Sequence, residues 1–229
     1  SGNQTVVTPL VGGETTLTPY GLGCVADRWR KEDSLSPSQS AIVLGVAFLD
    51  GTADQRAFVQ KVADEWIRDG VEQLVRFAWN VAPSSARIRI SFTRGVLDWS
   101  YIGRTSIRTP ANEQTMNLHH HMVESVVRHE FGHALGLRHE HQHPGLRIEW
   151  NEDVVFTHFR QIGWSETQVR TAIMEPARPE FICVGDTSPN PKSVMGYFIR
   201  KGWARNYSAY PSETITDRDR ACVVGIYRA

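Results

Sequence analysis

The chain has 229 residues, a length that suits one domain of roughly 150–250 residues with its own core. Hydrophobic residues make up 41%, with seven Trp and nine Phe, which excludes an intrinsically disordered chain. Lys plus Arg equals Asp plus Glu at 25 each, so bulk charge offers no attraction to nucleic acid or to an acidic membrane surface.

In chain order, residues 1–40 read as an arm rich in Thr, Gly, Ser and Pro, without periodicity. Ser1 opens a polar stretch rather than a signal peptide, and no apolar run approaches the ~20 residues of a membrane span. "AIVLGVAFL" (Ala41 to Leu49) predicts a strand ended by Asp50-Gly51. Phe58, Val59, Val62, Ala63, Trp66 and Ile67 recur at spacings of three and four, which predicts a helix over 54–68 with Gly70 as its stop. Strands are expected at 74–79, 87–92 and 99–103. In 87–92, Arg and Ile alternate, so that strand is expected to have one wet face.

Val123, Val126, Val127, Phe131, Ala134 and Leu135 form an apolar side at helical spacing and predict a second helix. After Gly136 the pattern loosens. Short helices are expected at 152–160 and at 165–174, the latter opened by a Ser165/Gln168 capping box, and a last one at 217–227 behind Thr216 as N-cap. The fold class is α+β. A twisted N-terminal sheet with two helices, the upper subdomain to about 136, stands over a mostly irregular lower subdomain. Residues 1–28 form an arm or pro-segment, and 29–229 form a single domain.

"HEFGHALGLRHEHQHP" (His129 to Pro144) holds five of the nine histidines. His129 and His133 lie four apart on a helix, so both imidazoles can reach one ion. Glu130 is rotated about 100° from His129 around the axis and can reach a water on that ion rather than the ion itself. A chance H-E-x-x-H arises in roughly 2% of shuffled chains of this composition. Requiring Gly136 and His139 as well multiplies that by roughly 0.003 and makes the longer pattern specific. The spacing also has a mechanical reading. Gly136 can adopt positive φ, end the helix and turn the chain back, so that His139 approaches the same ion. Three imidazoles with an open fourth position suit one catalytic Zn2+. His141 and His143 are expected to face solvent or support the loop, and His119, His120 and His121 to form a loop rim.

With these residues, the chain resembles the metzincin zinc peptidases, and among them the astacins. "HEFGHALGLRHE" carries Glu140 directly after the third histidine, as astacins do. "SVMGYF" (193–198) resembles the Met-turn, with Tyr197 two residues after Met195. "WSYIGR" (99–104) resembles the edge strand that lines the astacin cleft. "MNLHHH" and "HEHQHP" are similar to bacterial and fungal secreted relatives more than to animal ones. The likeness covers roughly residues 29–229. It departs at Asp98, where astacins usually carry a cysteine, and in the longer arm.

The resemblance implies a secreted zinc metalloendopeptidase acting on protein or peptide substrates, expected here as a monomer. It implies zinc on His129, His133 and His139, with Glu130 as general base acting on a zinc-bound water. Tyr197 is then the phenol that swings away and hydrogen-bonds the intermediate. Met195 is the apolar base beneath the metal, and Trp99, Ser100, Tyr101, Ile102 and Gly103 pair with an extended substrate. Arg200 and Lys201 follow the Met-turn, near the pocket through which astacins often favour an acidic residue just after the cut. Glu140 is expected to be buried and bonded to a side-chain cation or backbone amides.

Two other functional classes are set beside the peptidase: a latent zymogen blocked by its own arm, and a non-catalytic zinc-binding module. Intact Glu130 and the open fourth position argue against the last. Cys24, Cys183 and Cys222 cannot all pair in a monomer. One disulfide with one free thiol fits a secreted enzyme, and three thiols fit the cytosol. Either Cys24 pairs with Cys183 or Cys222, or those two pair with each other. In the second case Cys24 is simply buried, or it fills zinc's open position at about 2.3 Å. That last arrangement is similar to the cysteine switch of matrixin propeptides.

Overall fold

The computed structural model describes residues 23, 25–94, 97–119, 122–178, 188–210 and 212–229. Among the described residues, five strands form one sheet: β1 (Ile42–Phe48), β2 (Val75–Trp79), β3 (Ile88–Ser91), β4 (Trp99–Ser100) and β5 (Met116–Asn117), in the order β2-β1-β3-β5-β4. β1 runs parallel to β2 and β3, and β3 parallel to β5. β4 closes one edge antiparallel to β5, with Trp99 opposite Asn117. β1 sits inside the parallel part, where both faces are covered, so its sequence is apolar throughout rather than alternating. Leu44 and Val46 are fully buried.

Helix α1 (Ala53–Ala63) starts at a Thr52/Gln55 capping box and continues as a 3-10 turn, Asp64–Trp66. Its buried stripe is Val59, Val62 and Ala63, and it packs against α2 (Glu124–Ala134). Every residue of α2 from Val126 to Ala134 is buried, so this helix crosses the interior and its polar side chains need partners there. Trp66 donates its indole N–H to the Arg128 carbonyl (2.9 Å), and Trp29 donates to the Ala134 carbonyl (2.8 Å). Trp29 thereby satisfies one of the orphan carbonyls at the α2 C-terminus. Arg28 donates to the Ile226 carbonyl (3.0 Å), so residues 28–29 are tied to the core.

The lower part holds α3 (Glu152–Gln161), α4 (Glu166–Val169), a π-helical turn (Arg170–Met174) and α5 (Asp217–Arg228). The capping boxes at Ser165 and Thr216 are present. A second core of Val155, Phe156, Phe159, Val169, Ile173, Tyr197, Ile199 and Trp203 lies here.

Two expectations are corrected, and one strand is not foreseen. The strand expected at 99–103 ends at Ser100, and Gly103 already opens a 3-10 helix, Gly103–Arg108. β5 is two residues long, too short to carry a periodic signal. Most instructive, β3 has no wet face: Arg89 is 5% exposed. Its guanidinium donates to the carbonyls of Glu113 (2.8 Å), Ala86 (2.8 Å) and Thr109 (3.0 Å). The cation serves loop carbonyls beside a strand that is covered on both sides. Burial, the largest cause, holds its pKa below the usual value. Arg89→Met keeps the aliphatic stem and strands those carbonyls, so it should destabilise by ~2–4 kcal/mol. Urea denaturation of the variant measures the loss, and an unchanged midpoint would contradict this account of Arg89.

Candidate active site

The site begins where α2 ends. Gly136 has φ +102°. Its N–H donates to the His133 carbonyl (2.8 Å) and that of Leu137 to the Gly132 carbonyl (2.9 Å), the paired bonds of a Schellman ending. The reversal brings His139 back to the face that carries His129 and His133. Ring centroids are 4.7 Å apart for His129 and His133, 5.2 Å for His129 and His139, and 4.8 Å for His133 and His139. One ring nitrogen from each lies within 4.8 Å of the other two, and all three residues are buried.

The hydrogen bonds select the tautomers. His129 Nδ1 lies 2.8 Å from the Val194 carbonyl, and His133 Nδ1 lies 2.9 Å from the Leu137 carbonyl. A carbonyl only accepts, so each Nδ1 carries the hydrogen and each Nε2 keeps a bare lone pair. His133 Nε2 faces His139 Nε2 at 3.3 Å. His129 Nε2 has no partner among the described residues. Burial is the largest cause holding His133 and His139 well below the usual histidine range, and it brings His129 to about 4. Neutral imidazoles with unshared lone pairs converging in a buried space fit a zinc ion.

Glu130 is fully buried, and neither carboxyl oxygen has a partner among the described residues. Burial, and then the charge of Asp98, push its pKa well above the usual value. A cation at the histidines opposes both effects. Tyr197 is 2% exposed, with its ring 5.1 Å from that of His139. Met195 is buried, and a β-carbon on Gly132 would overlap its Sδ; glycine there lets the thioether pass directly beneath α2. Asp219 on α5 holds the Met195 turn by accepting from Ser193 Oγ and from the Val194 N–H (3.3 Å).

β4 lies beside α2 at the sheet edge. Trp99, Ser100 and Gly103 are buried, and Tyr101 and Ile102 are half-buried. Glu140 is 9% exposed and accepts from the Asn190 N–H (2.6 Å), so a backbone amide meets the carboxylate as expected. Cys24, Cys183, His120 and His121 lie outside the described residues, and His119 is exposed.

Of the two places expected for His141 and His143, solvent is excluded and support of the loop is what the structure has. Both are buried, at 3% and 2% exposure. His141 Nε2 meets the Ile173 carbonyl (2.8 Å), and His143 Nδ1 accepts from the Gly145 N–H (2.9 Å). The arm's end docks on this turn through partners that the sequence does not name. Gly23 forms an antiparallel bridge with Leu137, and the Asp27 carboxylate pairs with Arg138, between two residues of the histidine turn. The isolated Trp29 in a polar stretch is the available signal that this segment packs inward.

Residues 50–158 match the family model described as Astacin, a peptidase family. No curated protein matches the chain by sequence. Among solved structures, one of myroilysin superposes with a TM-score of 0.73 at 26% identity, covering 91% of this chain and 99% of that one. A crystal structure of myroilysin gives 0.61 at 23% identity, covering 99% of each chain. High choriolytic enzyme 1, a hatching enzyme zinc-protease from Oryzias latipes (medaka fish), gives 0.59 at 14% identity, covering 92% of this chain and 99% of that one, a likeness of fold alone. The family match and the shared architecture meet on the buried histidine group, and the chain is similar to the astacin-like metzincins, metalloendopeptidases that use one catalytic zinc ion.

Proposed function

We propose that His129, His133 and His139 hold the zinc through Nε2 and that Glu130 is the general base for hydrolysis within extended peptide chains. The observation that carries this reading is the convergence of bare Nε2 atoms beside a buried carboxyl with no partner among the described residues. Zinc held there supplies a Lewis acid that polarises the scissile carbonyl and acidifies water. Glu130 takes the proton of the attacking water and delivers it to the leaving amine. Tyr197 donates a hydrogen bond to the developing oxyanion, and the 99–103 edge aligns the substrate by strand addition. Glu130→Gln should retain zinc and lose ~10²–10⁴-fold in kcat. Tyr197→Phe should lose ~10²-fold. Metal analysis and a quenched-peptide assay measure both; near-normal turnover in Glu130→Gln sinks the mechanism.

Residues 29–229 act as one catalytic unit, a monomer working outside the cell. No helix among the described residues is long and apolar enough to cross a membrane. We infer a preference for an acidic residue just after the cut from the position of Arg200 and Lys201 behind the Met195 turn; Arg200 itself packs over the rings of Phe198 (5.7 Å) and Trp203 (5.4 Å). A cleavage-site profile without enrichment of Asp or Glu there ends that idea.

The latent form has its own support. The bridge from Gly23 to Leu137 and the pair between Asp27 and Arg138 hold the arm on the turn that carries His139. At Gly103, an added β-carbon would overlap the Asp27 carbonyl oxygen, so the arm also meets the end of the substrate edge. A thiol tethered at Cys24 has a high effective concentration at the zinc. Cys24→Ala should then be active without proteolysis where the parent is not. Equal activity of the two proteins, or a disulfide mapped to Cys24, removes the latch.

A further inference from the structure

Tyr197 makes no hydrogen bond through its Oη among the described residues, so packing must set the orientation of its ring. Two imidazoles lie against it, those of His139 and His141, each with a centroid separation of 5.1 Å. The rings of His139 and His141 are themselves 5.4 Å apart. The three rings form a closed triangle in the interior. His139 is claimed by the metal in the function proposed above. His141 is not a member of the metal-binding group, and its own orientation is fixed from elsewhere.

That anchor is the π-helical turn Arg170–Met174. A π turn widens the helix, is rare, and recurs at functional sites. Here the carbonyls at its end receive side chains from the histidine run and its surroundings. His141 Nε2 meets the Ile173 carbonyl at 2.8 Å, Gln142 Nε2 donates to the Glu175 carbonyl (3.0 Å), and Trp150 Nε1 donates to the Met174 carbonyl (3.2 Å). The Ala177 N–H returns the contact to the Gln142 carbonyl (2.7 Å). Two successive residues, His141 and Gln142, are thus pinned to one end of a wide turn. The imidazole carries its hydrogen on Nε2, because a carbonyl can only accept.

We propose that His141 is a positioning residue for the reaction: locked by the Ile173 carbonyl of the π turn, its ring sets the angle of Tyr197. This rests on the role of Tyr197 proposed above. His141→Phe keeps a ring of similar size and loses the bond to Ile173. His141→Gln restores a donor near the Nε2 position.

The test combines steady-state kinetics and zinc content for both variants, for Tyr197→Phe, and for the double variant His141→Phe/Tyr197→Phe. His141→Phe should keep its zinc and its KM and lose ~10-fold in kcat, the scale of a misplaced catalytic group. His141→Gln should recover a substantial part of that loss. The double variant should be no slower than Tyr197→Phe alone. Additive losses in the double variant would overturn the proposal, as would loss of zinc from His141→Phe or no recovery in His141→Gln. If Tyr197→Phe proves fully active, the role of Tyr197 has failed on its own. A loss in His141→Phe under that outcome would show that His141 acts by another route and would overturn the proposal as well.

Discussion

At Gly136 the backbone takes a conformation that a side-chain-bearing residue rarely adopts, with φ +102°. A continued helix would carry His139 to the far face of α2. Instead the chain reverses within two residues, and Leu137 serves both purposes of the turn. Its N–H closes the helix on the Gly132 carbonyl, and its carbonyl fixes the His133 imidazole. Helix termination and ligand orientation are therefore one event, and the geometry of the histidine group depends on it.

The same economy recurs around the site. The Val194 carbonyl orients His129, the Met195 carbonyl accepts from the Glu140 N–H (2.9 Å), and the Glu140 carboxylate accepts from Asn190. Asn190 in turn donates to Thr216 Oγ1 (2.9 Å), the N-cap of α5. Each of these polar groups is tied to another segment of the chain, which suits a site whose donors must hold still. Such a network resists piecemeal change, because removing one member leaves another buried and unsatisfied.

Much of this is legible in the sequence where the signal is local. β1, α1 and α5 follow from apolar runs, helical spacing and caps, and the Ser165/Gln168 box lies where the sequence places it. The histidine group is legible because spacing plus one glycine encodes it. What escapes depends on distant partners. Arg89 looks like a solvated residue until three loop carbonyls close over it. His141 looks like a surface residue until the Ile173 carbonyl, 32 positions away, meets it. The arm's end shows no periodicity because it docks through a backbone bridge and an ion pair, neither of which leaves a repeating pattern.

The Met195 turn is fastened by Asp219, and Trp29 is met by the Tyr227 hydroxyl and packed in the same core as Val223 and Ile226. The clamp that orients His129 therefore draws on the last helix described, across roughly the whole length of the chain. Contacts of such long sequence separation form late, since loop closure must precede them. A nascent chain carries the histidine motif long before it carries Asp219. The proteolytic centre thus has a built-in delay: its geometry is completed only after α5 has left the ribosome and folded back.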